Sequence, residues 1–173
     1  MTPLVRRERP EDARQILAVI EAAFEDRSVA EFAEAIRVSA GYVADLSFVA
    51  DDGGAVVGHT MLSRVGLVGH ADVLVLTPMA VRPDRQGQGI GATLVKTALD
   101  AADEQGEPLV LVEGIPAYYP RFGFRSATAL GLLRPDPRIP DAAWMAIPLR
   151  TYDPGLRGRV VYPPFFPGPP ADA

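Results

Sequence analysis

No single regular element can run from Val81 to Leu94. Before this stretch, Val73 to Leu76 and then Met79, Ala80 and Val81 form an apolar, largely β-branched run that reads as a strand. After it, Ile90, Leu94, Val95, Ala98 and Leu99 recur at the spacing of one buried helix face. Gly87, Gly89 and Gly91 stand at the join. Glycines there leave successive backbone N–H groups uncovered by side chains at the positive end of a helix dipole, where an anion is held. The stretch therefore reads as strand, loop and helix with a phosphate cradle between them, and it commits the chain to an α/β architecture.

Two rival readings of the glycines exist. Gly87-x-Gly89-x-x-Ala92 satisfies the loose dinucleotide fingerprint, and a lone glycine pattern can be a plain tight turn. In the dinucleotide motif the first glycine closes the strand directly, whereas here Arg82 to Gln86 intervene, and only one βαβ unit follows. A Walker loop is excluded, because no Gly-Lys-Ser/Thr is present.

A second motif narrows the reading. Gln86, Gly87, Gln88, Gly89, Ile90 and Gly91 fit the Gln/Arg-x-x-Gly-x-Gly/Ala pattern of GNAT-type N-acetyltransferases, with Val81-x-Pro83 at the customary distance before it. About thirty residues on, the stretch from Tyr118 to Phe124, with Tyr119, Gly123 and Phe124, resembles the Tyr-x-x-x-Gly-Phe element of the same superfamily. The resemblance spans roughly residues 3 to 150, and Tyr118, Tyr119 and the later run Gly158 to Tyr162 are similar to a bacterial predicted-acetyltransferase branch.

The resemblance implies a GNAT fold: a mixed, mostly antiparallel sheet splayed between strands 4 and 5, with helices on both faces. It implies acetyl-CoA as co-substrate, with the pyrophosphate on Gln86 to Gly91 and the pantetheine arm pairing with the backbone of Met79, Ala80 and Val81. The implied activity is transfer of an acetyl group to a primary amine by direct attack. Tyr119, four residues before Gly123, stands where the family carries its general acid. A phenol of pKa ~10 can protonate the departing thiolate at neutral pH. The plainer alternative is that Tyr118 and Tyr119 are buried aromatics. For the base, Glu113 at the end of the fifth strand and His59 on a neighbouring strand are candidates; a solvated strand end, a satisfied core histidine and water are the alternatives. A backbone N–H near Met79 to Val81 would meet the oxyanion. The chain departs from the family in one respect: many members carry an Asn after the fifth strand, and this sequence contains none. A catalytically idle acyl-CoA-binding or sensory module is the competing function.

Elsewhere the patterns are ordinary. Leu4 and Val5 start a short strand; Pro10, Glu11 and Asp12 open a helix with Ile16, Val19, Ile20, Ala23 and Phe24 inward; Ser28 to about Ser39 form a second helix with Phe32 and Ile36 inward. Leu46 to Ala50 and Ala55 to Leu62 read as a hairpin around Gly53 and Gly54. Pro78 interrupts the strand from Asp72 to Val81 and predicts a bulge or a parting from its neighbour. A helix to about Glu104, a strand over Pro108 to Val112 and a short helix from Pro116 follow, then two antiparallel strands over Ala127 to Leu133 and Trp144 to Leu149.

Ten of the seventeen prolines lie beyond residue 134. The expectation is a domain over residues 1–151 and a Pro-rich extension over 152–173, its Arg159 to Tyr162 strand packed on the domain or on a second subunit of a homodimer. At 173 residues and 48% hydrophobic content the chain builds one sizeable core. A net charge of −5 without a basic stripe argues against nucleic acid and anionic membranes, and mildly favours a cationic acceptor, whether small molecule or peptide amine. The absence of cysteine excludes disulfides, thiolate zinc sites and cysteine nucleophiles, and no metal is expected. Without an apolar leader or a long apolar span, a cytoplasmic location is expected.

Overall fold

The structure, a computed structural model, describes residues 2–168. Nine strands and three helices follow in the order β1 (Leu4–Arg7), α1 (Ala13–Phe24), α2 (Arg27–Arg37), β2 (Tyr42–Asp52), β3 (Ala55–Leu67), β4 (Val73–Val81), α3 (Ile90–Glu104), β5 (Leu109–Glu113), β6 (Arg125–Ser126), β7 (Leu132–Leu133), β8 (Trp144–Pro148) and β9 (Gly158–Val161) among the described residues. The chain forms two compact units, Met1–Ser63 with Thr77–Ala101, and Arg64–Leu76 with Ala102–Ala173, so that β3, β4 and α3 each contribute to both.

In the first unit the strands lie in the order β1-β2-β3-β4. β2 and β3 form the expected hairpin, with Gly53 (φ 65°) and Gly54 (φ 95°) supplying the left-handed turn. β3 lies against β4, where the Arg82 N–H donates to the Val57 carbonyl at 2.9 Å and the Thr60 hydroxyl to the Pro78 carbonyl at 3.2 Å. Alternate β3 residues face opposite sides. A Cβ at Gly58 would lie 2.9 Å from Leu94 Cδ1 and 3.2 Å from Ile90 Cγ2, so that side carries α3. The next residue, His59, faces Glu8 and its partner Arg37 of α2. Helices thus cover both faces of the sheet.

The helices follow their periodicity, with Ile16, Val19 and Ile20 of α1, Ile36 of α2, and Leu94, Val95 and Ala98 of α3 all buried. The α2 start is fixed by the Asp26 carboxylate, which accepts from the Ser28 N–H at 2.8 Å. Phe24 departs from expectation. Glu25 turns left-handed (φ 52°), ending α1 at Phe24 and leaving that ring 45% exposed.

In the second unit β4 runs parallel to β5 with the register Leu74↔Val110 and Val75↔Leu111. β5 pairs antiparallel with β8 from Leu109↔Pro148 to Glu113↔Trp144, and β8 with β6. β9 lies antiparallel to the end of β3 and parallel to β7. The sheet is mixed and mostly antiparallel, as expected. The predicted strand over Ala127 to Leu133 is not formed. Its residues instead make a 3-10 turn at Thr128–Leu130 and the two-residue β7, because Gly131 (φ 81°) reverses the chain and the Leu132 N–H returns to the Ala127 carbonyl at 3.0 Å. Trp144, fully buried, supports this turn by donating its indole N–H to the Leu132 carbonyl at 2.9 Å.

Candidate active site

In the first unit β4 delivers the chain to the glycine loop. Ala80 is buried and Val81 nearly so, while Met79 keeps a partly open side chain. The Thr77-Pro78 peptide is cis, and β4 runs unbroken through the proline from Val73 to Val81. After Val81 a 3-10 turn at Pro83–Arg85 leads to the exposed run Gln86, Gly87, Gln88 and Gly89.

Gly87 and Gly89 hold φ of 73° and 81°, and a Cβ at either would meet no atom within 4 Å. These glycines are required by backbone conformation, with open space above them. Gly89 caps α3, since the Thr93 N–H returns to its carbonyl at 3.0 Å, and the first helical N–H groups, those of Ile90 and Gly91 among them, have no partner inside the helix. An open ring of donors at a helix N-terminus suits a phosphate.

Side chains brace this loop. Gln86, assigned to the cofactor from the motif, donates its amide to the Val81 carbonyl at 3.0 Å and ties the loop back to the strand. Arg82 grips Asp84 at 2.6 Å, Arg85 pairs with Asp52 of β2, and Gln88 donates to the Asp84 carbonyl at 3.4 Å. The pairing holds the Asp84 and Asp52 carboxyls below their usual range through the Arg82 and Arg85 guanidiniums.

His59 belongs to a different constellation. It is wholly buried, with Nδ1 3.8 Å from Glu8 Oε2 and neither ring nitrogen in a hydrogen bond. Burial above all, reinforced by Arg37 and opposed by Glu8 and the Phe48 backbone, pushes its pKa down to about 4. A neutral imidazole sealed inside the unit cannot receive a proton from a substrate, so His59 is removed from the candidate bases.

The second unit holds Glu113 and Tyr119. Glu113 ends β5 as a residue exposed along its flank but with its carboxyl turned against Tyr162, and the next residue, Gly114, donates its N–H to the Ala143 carbonyl at 3.0 Å. Loss of water around the Glu113 carboxyl and the nearby Asp136 raise it above the usual carboxylate range, against the lowering effect of a hydrogen bond from Tyr162.

The short helix predicted from Pro116 begins later, as a 3-10 turn over Tyr119–Phe122, with Pro120 in its first turn and Gly123 (φ 102°) ending it. Proline preorganises the first turn but removes one donor, and the turn stays too short to become α-helical. Tyr119 is buried, edge-on to Phe124 at 5.5 Å and to Tyr118 at 5.1 Å. Burial pushes its phenol up to about 12, so it remains protonated across the neutral range. Tyr118 is more open and lies under the Arg121 guanidinium at 4.5 Å.

Two participants have no site role assigned by the sequence motifs. A Cβ at Gly114 would overlap the Tyr119 ring, so Gly114 is the seat of that tyrosine. Tyr162 brings its hydroxyl to Glu113. Among the described residues no cluster of His, Asp or Glu is arranged to hold a metal ion, and no helix is long and apolar enough to cross a membrane.

Comparison with known proteins bears on this arrangement. Residues 11–124 match the model of the acetyltransferase (GNAT) family. The chain is 35% identical over 125 residues to the uncharacterized N-acetyltransferase YhbS of Escherichia coli K12, covering 72% of this chain and 74% of that protein. It is 34% identical over 122 residues to the uncharacterized N-acetyltransferase YjhQ of the same organism, covering 66% and 67%. The crystal structure of E. coli YhbS in complex with CoA superposes with a TM-score of 0.87 at 32% identity, covering 95% of this chain and 92% of that one. A GNAT acetyltransferase of Brucella melitensis in complex with acetyl-CoA gives 0.77 at 29% identity, covering 95% and 97%. The glycine cradle and the Tyr119 to Phe124 turn both fall within the matched span, and the chain belongs to the GNAT acetyltransferase family.

Proposed function

We propose that this chain binds acetyl-CoA and transfers the acetyl group to a primary amine by direct attack. The observation that carries the reading is the open cradle at Gly87 to Gly91, held by left-handed glycines at the start of α3 and braced by Gln86. The CoA and acetyl-CoA complexes of the two structural relatives support the same ligand. The β4–β5 register stops at Val75↔Leu111, ahead of Pro78, which supports backbone pairing of the pantetheine arm with Met79, Ala80 and Val81.

In the chemical step the amine nitrogen forms a bond to the acetyl carbonyl carbon and the C–S bond breaks. The thiolate takes a proton from the Tyr119 phenol, which stays protonated at neutral pH because it is buried. The amine's proton passes to Glu113, whose raised carboxyl is a stronger base than an ordinary surface carboxylate. A backbone N–H near Met79 to Val81 meets the oxyanion. The chain's net charge of −5 favours a cationic acceptor, small molecule or peptide.

Acetyl-CoA at a hundred times its dissociation constant is expected to add ~2.7 kcal/mol to folded-state stability and to raise the melting temperature. Gly89→Glu should abolish that shift, because a carboxylate and a strained backbone would meet the phosphates. On an amine panel, Tyr119→Phe should lower the turnover number by a factor of about 10² to 10⁴ while acetyl-CoA affinity holds. Binding without turnover on any amine would identify an idle acyl-CoA module instead.

A further inference from the structure

The C-terminal segment ends β9 beside the proposed base. Tyr162 donates its hydroxyl to Glu113 Oε2 at 3.4 Å, across 49 positions of sequence. Its ring is held on two sides, edge-on to Trp144 at 6.3 Å and tilted on Phe166 at 4.6 Å. Trp144 is itself immobilised, being fully buried and bonded through its indole to Leu132, and it is the β8 residue paired with Glu113. The Tyr162 hydroxyl is therefore presented by a fixed aromatic, not by a freely rotating side chain. Asp136, from the chain between β7 and β8, which pairs with Arg138 at 2.7 Å, also acts on this carboxylate.

We propose that Tyr162 is a positioning residue for catalysis, its hydroxyl orienting the Glu113 carboxylate that receives the proton of a cationic primary amine. The inference rests on the reading of Glu113 as the base. It gives the proline-rich segment a role at the acceptor end, beyond covering apolar surface. A phenolic donor stabilises the charged carboxylate, whereas lost hydration and the Asp136 charge favour its protonated form. Removing the hydroxyl and removing the Asp136 charge should therefore displace the Glu113 titration in opposite directions, which a general loosening of the fold would not do.

The test uses the full chain with 13C-carboxyl-labelled glutamate. Glu113→Gln identifies the resonance, and its midpoint is then followed against pH in the unaltered protein, in Tyr162→Phe and in Asp136→Asn. The midpoint should rise in Tyr162→Phe and fall in Asp136→Asn. With an amine that the panel shows to be acetylated, the acid limb of kcat/KM should follow the same two displacements and disappear in Glu113→Gln. A midpoint that is unmoved or lowered in Tyr162→Phe overturns the positioning role. If the limb survives in Glu113→Gln, the base assignment itself falls, a separate failure from an unmoved midpoint.

Discussion

Gly114 and Gly89 are both indispensable, for opposite reasons. At 114 the obstacle is another side chain: a Cβ would overlap the Tyr119 ring, with Cδ2 only 2.7 Å away. At 89 nothing lies within 4 Å, and the obstacle is the left-handed φ of 81°. Gly114→Ala should therefore push Tyr119 from its seat and cut turnover by about 10²-fold, the scale of an ångström-sized misplacement, while acetyl-CoA affinity holds. Steady-state kinetics beside a cofactor titration check this. The Tyr-x-x-x-Gly-Phe motif made Tyr119 legible in the sequence. Gly114 was not, because its need for a bare backbone arises from a ring five positions on, which no local rule places over it.

At the scale of elements, one carboxylate joins four of them in the first unit. Glu8, just after β1, accepts from Arg37 of α2 at 2.9 Å and 3.2 Å, from the Tyr42 hydroxyl of β2 at 3.1 Å, and from the Ser47 hydroxyl. His59 of β3 completes the group. The Arg37 and Ser47 hydrogen bonds outweigh burial and hold the Glu8 carboxyl below its usual range. For His59, with a folded pKa of about 4 against 6.5 for a free imidazole, the unfolded chain binds more protons between these values. Stability is therefore complete above pH 6.5 and falls as pH drops toward 4, by ~3 kcal/mol at ~1.4 kcal/mol per unit. The lowered Glu8 adds a further loss that begins near its ordinary value of 4.5 and continues at more acid pH. His59→Leu should flatten the fall between pH 6.5 and 4, read as thermal midpoints across that range, and leave the more acid loss in place. Periodicity announced α2, β2 and β3 separately. It was silent on this junction, which depends on side chains up to 51 positions apart, Glu8 and His59.

At the scale of the whole molecule, the segment after Tyr152 completes a core. Val160 is fully buried, and Tyr162 and Phe166 pack against a cluster that includes Val65, Leu67, Leu132 and Trp144. A chain ending at Tyr152 loses all three, at ~1.5–3 kcal/mol for the fully buried Val160 and less for each of the half-buried Tyr162 and Phe166. That is comparable with the lower end of the ~5–15 kcal/mol holding a domain of this kind together. Such a chain should melt at a markedly lower temperature or fail to accumulate, and calorimetry checks it. The strand over Arg159 to Tyr162 was visible as a short β-branched run, and it forms at Gly158–Val161. The sequence by itself determined the strand, glycine loop and helix, the hairpin of β2 and β3, and the apolar faces of α1 and α3. Those follow from backbone conformation and from periodicity, both read within a few residues. Only the tertiary structure decided that Ala127 to Leu133 turn rather than extend, that His59 is sealed beside Glu8, and that Tyr162 meets Glu113. Each of these is set by a partner far along the chain, whose burial or hydrogen bond exists only once the sheet has assembled.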